Sequence, residues 1–248
     1  MIKRKPFQGV LNILDFNRHY YYFGLSVLLI LVLIKAIFGW DGFIFWIIIA
    51  GFVYGLVIPL LVSAYIYDFS GYYNFIWLNS LIGNPNKISK LVNMNAGFDE
   101  TSYILESKFP NAKIYVFDFY DEKKHTEAAI KRARKVSLVY PTTSSIESSK
   151  IPLDDNSVDA IFLLSSAHEI RDNEEKVRLF KECKRILGSS GQIILVEHLR
   201  DFPNFLAFTI GFTHFFSANT WKNCFKLAGF ESIKEIKFTP FMSVFYVK

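Results

Sequence analysis

Apolar residues are crowded into the first part of the chain. From Tyr20 to Phe38 the sequence is almost wholly apolar, interrupted by Ser26, Lys35 and the permissive Gly24. From Phe43 to Tyr67 it is apolar again and carries no charge. Each run is long enough to cross a hydrocarbon core at the helical rise of about 1.5 Å per residue. The tight polar turn Gly39-Trp-Asp-Gly42 separates them. Two spans joined so closely predict a transmembrane helical hairpin. Trp40, Trp46, Tyr20, Tyr21, Tyr22, Tyr65 and Tyr67 lie near its ends, where an aromatic belt belongs. Lys35 is placed to snorkel, and Pro59 to kink the second helix. A hydrophobic hairpin buried in an oligomer is the rival reading. A cleaved signal peptide fits poorly, because the run starts late, is too long and lacks a small-residue cleavage site.

Beyond residue 150 the period changes. Ala160–Leu164 is a short apolar run bounded by polar residues, the pattern of a strand buried on both faces. In Asn173–Leu187 the apolar positions Val177, Phe180, Cys183, Ile186 and Leu187 recur at helical spacing. Gly188 and Gly191 then punctuate a turn, and Gln192–Glu197 is a second apolar run. Strand, helix and strand in this order predict a right-handed βαβ unit and a sheet that is at least partly parallel. Ligands in such sheets sit at the carboxyl ends of the strands. Here those ends carry Ser165, Ser166, His168, Glu169, Glu197 and His198.

The boundaries that follow are a membrane hairpin over 1–70 (spans at about 20–38 and 43–67), a linker over 71–86 and an α/β domain over 87–248. The linker is rich in aromatics; Tyr72–Ile82 reads as a short interfacial helix, or else as a linker helix packed on the domain. Composition agrees with this division. The hydrophobic fraction of 51% and the 26 Phe of this 248-residue chain exceed ordinary soluble usage, and the excess lies before residue 83. The net charge of +5 is mild and interspersed, which argues against a nucleic-acid partner. Cys183 and Cys224 suggest neither a disulfide framework nor a metal site, so no metal is expected. Lys3, Arg4, Lys5 and Arg18 precede the first span, while the turn region has only Lys35. The positive-inside rule then places the N-terminus and the α/β domain in the cytoplasm, with the bilayer as a partner.

The stretch NSVDAIFLLSSAHEI, with the later RILGSSGQIILVEH, resembles the second half of a class I S-adenosylmethionine-dependent methyltransferase. The likeness covers roughly residues 87–248. It implies a Rossmann-like α/β fold, with a mostly parallel seven-stranded sheet and an antiparallel C-terminal strand, preceded here by two transmembrane helices. It also implies S-adenosyl-L-methionine as cofactor. Lys90–Met94 takes the place of the first strand, Ala112–Phe117 of the second and Val136–Tyr140 of the third. Asn219–Ala228 fits the last helix, and Ile233–Phe238 with Ser243–Val247 fit an antiparallel pair turned at Pro240.

The glycine loop departs from the family pattern. Asn93-Met-Asn-Ala-Gly-Phe-Asp99 stands where Asp-x-Gly-x-Gly-x-Gly is usual, and only Gly97 remains. Asn95 tolerates a left-handed conformation, and Asp99 can cap the following helix. Asp118 ends the second strand about 20 residues on, where an acidic residue holds ribose hydroxyls; a capping or solvent-facing Asp is the alternative. Counting back from Pro152 places Glu147 beside the adenine, unless it is a surface loop residue. The cofactor set is therefore Asn93, Asn95, Gly97, Asp118, Glu147 and Ser165. For a general base the choice lies between His168 and His214. His214 lies in an uncharged, Phe-rich segment from Pro203 to Phe216, read either as a buried helix or as an apolar lid over an acceptor pocket facing the bilayer. The expected activity is methylation of a hydrophobic small molecule or lipid-like acceptor, with oxygen before carbon. A non-catalytic scaffold with a decayed loop is the alternative, and a nicotinamide-dependent reductase lacks Gly-x-Gly-x-x-Gly.

Overall fold

The computed structural model describes residues 4–248, so Lys3 of the basic N-terminal group lies outside the described residues. Seven strands form one sheet in the order β3-β2-β1-β4-β5-β7-β6. They are β1 (Lys90–Asn95), β2 (Lys113–Asp118), β3 (Thr143–Ser145), β4 (Val158–Leu164), β5 (Leu187–His198), β6 (Ile233–Thr239) and β7 (Met242–Val247). The pairs among β1 to β5 are parallel, and β7 runs antiparallel to both β5 and β6. The chain order reverses between β1 and β4, so the crevice at their carboxyl ends is the topological switch point.

Eight α-helices accompany the sheet: α1 (Gln8–Phe16), α2 (Arg18–Phe38), α3 (Phe43–Ala64), α4 (Ser102–Lys108), α5 (Ala128–Val136), α6 (Asn173–Ile186), α7 (Phe202–Phe208) and α8 (Ala218–Leu227). The apolar residues of α5, α6 and α8 that the helical period picks out, among them Ile130, Phe180 and Phe225, are buried on one sheet face. Asp172 starts α6 by accepting the Glu174 N–H at 2.6 Å.

The expected strand at Val136–Tyr140 is not formed. Val136 ends α5, Leu138 and Val139 are exposed, and β3 lies a few residues later. The amphipathic face of α5, with Ile130 and Ala133 buried, carries the helix through Val136 and overrides its strand propensity.

The linker is not an interfacial helix. It folds into 3-10 turns, Tyr72–Asn74 and Ile76–Ser80, and Tyr72, Phe75, Trp77, Leu78 and Ile82 are buried against the second sheet face. Trp77 stacks on Phe238 with ring centroids 5.7 Å apart. Its aromatics thus do for β4, β5 and β7 what a covering helix does elsewhere.

α2 and α3 stand out from the domain as an antiparallel pair, in contact where Gly24 meets Leu56. Both are long and apolar enough to cross a membrane. Pro59 lies inside α3, and a π-helical turn, Tyr65–Phe69, continues it. α1 is a helix that the hydrophobic pattern does not reveal. Asp68, from the turn after α3, accepts the Gly9 and Val10 N–H groups at 2.8 and 3.0 Å and so caps it. The approach is close enough that a Cβ at Gly9 would lie 2.3 Å from that of Tyr67. Phe16, at its far end, is buried against Phe98 in the loop after β1.

Candidate active site

The loop after β1 is built on side-chain hydrogen bonds in place of glycines. Asn95 stays extended as the last residue of β1, and its Oδ1 accepts the Gly97 N–H at 2.7 Å. The left-handed position belongs to Gly97 instead, at φ 82°. Asp99 Oδ1 accepts the N–H groups of Thr101 and Ser102, each at 2.9 Å, and so starts α4 as expected. Asn93 donates to Ser102 Oγ at 2.8 Å and Thr101 Oγ1 at 3.0 Å. Three buried atoms of this loop have no hydrogen-bond partner among the described residues: Asn93 Oδ1, Asn95 Nδ2 and Asp99 Oδ2. Buried polar atoms are rarely left so, and three around one strand end fit a polar ligand such as the cofactor implied above.

Asp118 lies beside Asn95 in the β1–β2 register. Its Oδ1 accepts the Tyr120 N–H at 2.9 Å, and its Oδ2 pairs with Arg134 of α5 at 2.7 Å. Arg134 also donates to the Ala96 carbonyl at 2.9 Å and lies 4.0 Å over the Tyr120 ring. A Cβ at Gly97 would fall 1.5 Å from its Nη1, so the surviving glycine makes room for this guanidinium. Glu147 is exposed just after β3, 3.5 Å from Ser149 Oγ. It directly follows Ile146, whose N–H donates to the Asp118 carbonyl at 2.9 Å.

At the end of β4 the backbone turns through Ser165, at φ 51°. Ser165 Oγ is 3.0 Å from the Tyr72 hydroxyl, and Ser166 Oγ ties β4 to the Met94 carbonyl of β1 at 2.9 Å. His168 and Glu169 follow. His168 Nδ1–H donates to Glu197 Oε2 at 2.6 Å, and its Nε2 is 3.5 Å from Glu169 Oε1. Burial disfavours a charged ring here, yet Glu197 and Glu169 outweigh it and push the His168 pKa up to about 10.

The structure brings His214 to His168, with ring centroids 4.9 Å apart. His214 closes a 3-10 turn, Thr209–His214, and its Nδ1 is 2.8 Å from Glu127 Oε2. That hydrogen bond, opposed by burial, holds the Glu127 carboxyl below the usual range. Arg171 donates to the carbonyls of His168 at 3.2 Å and His214 at 2.6 Å, which locks the two turns together.

His198 is set apart from this pair by its hydrogen bonds. Its Nδ1 faces the Phe241 carbonyl at 3.0 Å and must carry the proton, so Nε2 accepts from the Tyr67 hydroxyl at 2.8 Å. Burial and the nearby charge of His168 lower its pKa to about 4. A neutral His198 therefore joins β5 to the base of the hairpin.

The Phe-rich segment is not a buried helix. Phe202, Phe205, Leu206 and Ile210 are exposed. Within this segment the Leu206 carbonyl accepts from the Tyr54 hydroxyl of α3 at 2.6 Å. Sequence reasoning missed Glu127, Arg134, Tyr67 and Tyr72. Glu127, Tyr67 and Tyr72 meet the site from elements remote in sequence from their partners; Arg134, close after Asp118 on a basic helix, left a readable signal.

Residues 94–195 match the family described as a methyltransferase domain. Over 138 residues the chain is 28% identical to a demethylmenaquinone methyltransferase of Thermotoga maritima, covering 56% of this chain and 53% of that protein. The chain thus spans about half the length of that relative. Human N-acetylserotonin methyltransferase, solved with S-adenosylmethionine, is similar in fold at a TM-score of 0.51 and 14% identity, over 79% of this chain and 55% of that one. A putative O-methyltransferase of Nostoc punctiforme is similar at a TM-score of 0.52 and 16% identity, over 79% and 60%.

Proposed function

Because residues 94–195 match a methyltransferase domain, we propose that the chain is a membrane-anchored, S-adenosylmethionine-dependent enzyme that methylates an oxygen of a hydrophobic, quinol-like acceptor drawn from the bilayer. One observation carries this reading. The segment that delivers His214 to the site rests on α3 through Tyr54, and Ile210 beside it is 81% exposed. Tyr54 lies well inside the apolar helix, so Phe202, Phe205, Leu206 and Ile210 face the depth of the acyl chains. The Thermotoga relative, named for demethylmenaquinone, supports an acceptor of this kind. Orientation is supported by α1, which packs on α5 and so puts the N-terminal segment on the domain's side of the hairpin. Arg4, Lys5 and Arg18 on that side favour the cytoplasm.

The residues present fit the cofactor. Asn93, Asn95 and Gly97 would hold its methionine end and Asp118 its ribose, once Arg134 yields the carboxylate. Bound there, S-adenosylmethionine supplies an activated methyl group. Tyr72 and Ser165 shape the wall beside that place. Glu197 fixes the ring of His168, Glu127 fixes that of His214, and the pair faces the acceptor oxygen. The task of His214 is to accept its proton, and that of His168, with its pKa pushed up to about 10, is to hold the oxygen as an anion.

Full-length protein in nanodiscs, given labelled S-adenosylmethionine and a series of hydrophobic quinols, is expected to yield products heavier by one methylene. His168→Ala and His214→Ala are each expected to lower the rate by about 10²–10⁴-fold. Full activity in both variants would remove the histidines from the chemistry.

A further inference from the structure

We propose that His168, Glu169 and His214 form a binding site for one divalent transition-metal ion. One ligand atom from each residue lies within 4.8 Å of the others. The geometry of their partners is what distinguishes the cluster from a chance meeting of polar groups. Each histidine has its Nδ1 against a carboxylate, His168 on Glu197 at 2.6 Å and His214 on Glu127 at 2.8 Å. Each ring is thereby oriented with Nε2 turned away from that carboxylate, that of His168 toward Glu169 Oε1 at 3.5 Å, as in carboxylate–histidine–metal arrangements, where the outer partner fixes tautomer and direction. The third ligand supplies an independent sign. Glu169 is only 7% exposed, and its Oε2 has no hydrogen-bond partner among the described residues. A buried carboxylate oxygen left unpaired is costly unless something positive sits against it.

The scaffold is rigid where it has to be. His168 and Glu169 share the 3-10 turn after β4, Ala167–Glu169, and Arg171 clamps the carbonyls of both histidines. Three carboxylates converge here, Glu127, Glu169 and Glu197, with Arg171 as the nearby fixed cation, 3.9 Å from Glu127. Two imidazoles among three ligands select a borderline ion such as Zn²⁺, Fe²⁺ or Co²⁺ over Mg²⁺ or Ca²⁺. Three protein ligands also leave coordination positions open, as in sites where an ion polarises a bound oxygen. The ion's role toward the acceptor rests on the function proposed above; its binding does not.

The test uses full-length protein in detergent micelles, stripped with chelator and free of cofactor and acceptor. Zn²⁺ titrated by calorimetry, and Co²⁺ followed by its visible absorption, are expected to show one ion per chain. His214→Ala and Glu169→Gln are each expected to weaken binding by at least about 100-fold, and Glu127→Gln by about 10–100-fold. Thermal midpoints of the metal-free variants, compared with that of metal-free wild type, separate ligand loss from unfolding. A folded wild type that binds no ion stoichiometrically would overturn the site. So would binding unchanged in both His214→Ala and Glu169→Gln. If the ion binds as expected and no quinol is methylated, the acceptor assignment fails while the site stands. If methyl transfer persists unchanged after the ion is removed, the ion has no part in it.

Discussion

At His198, burial and the nearby charge of His168 decide the protonation state. The ring is neutral in the fold because its pKa is lowered to about 4, whereas in the unfolded chain it returns to about 6.5. The sign follows from proton counting. Below the unfolded value the unfolded chain binds more protons, so stability is fully present above about pH 6.5 and is lost as the pH falls toward 4. The shift corresponds to about 3 kcal/mol at the acid end. Thermal midpoints in micelles between pH 7 and pH 4 are expected to fall, and His198→Gln is expected to flatten that slope. An unchanged slope would show that another group sets the acid limit. Arg134 makes a second prediction at this scale. It competes with any ligand hydroxyl for Asp118 through a partly buried ion pair worth about 1 kcal/mol. Arg134→Leu is therefore expected to tighten S-adenosylhomocysteine binding about fivefold by calorimetry, whereas Asp118→Ala weakens it.

Among the elements, α1 depends on a residue from the far end of the hairpin. Asp68→Ala removes the cap on Gly9 and Val10, at a cost of about 1 kcal/mol. Limited proteolysis is expected to cut before Phe16 sooner in that variant; equal rates would mean that α1 is held by other contacts. The same helix shows where reading from sequence stops. The βαβ unit from β4 to β5 was legible because its apolar residues keep strict periods; Gly188 and Gly191, read as a turn, instead lie inside β5 where its register with β4 shifts. β1, β2, α8 and the β6–β7 pair were legible within a residue or two for similar reasons. α1 and the linker were not, since Phe16, Tyr72 and Trp77 are buried by distant partners and follow no period. At the site, Asp118, His168 and Glu197 were readable from their place at strand ends. The meeting of His168 with His214, and of Asp118 with Arg134, depends on how separate turns and helices dock, which spacing does not encode.

Taken whole, the hairpin and the domain are one folded unit. Ile66 is fully buried in the sheet's second core, Tyr67 bonds His198, and Glu100 in the cofactor loop accepts from Gln8 at 2.6 Å and Asn12 at 3.2 Å. A fragment beginning after residue 70 loses all three. It is expected to melt well below the full chain and to bind S-adenosylhomocysteine more weakly; equal stability would refute this coupling. Protease added to intact cells is expected to spare the domain, and its digestion would reverse the proposed orientation.

Under the proposed function, the contact between Tyr54 and Leu206 sets the space in which the enzyme searches. An acceptor of the proposed kind, met along that face, would be a solute of the bilayer, and its encounters would be two-dimensional. The quantity that saturates the enzyme is then the acceptor's mole fraction in the lipid, not its concentration in the tube. Adding empty lipid at constant total acceptor should slow turnover, and adding buffer should leave it nearly unchanged.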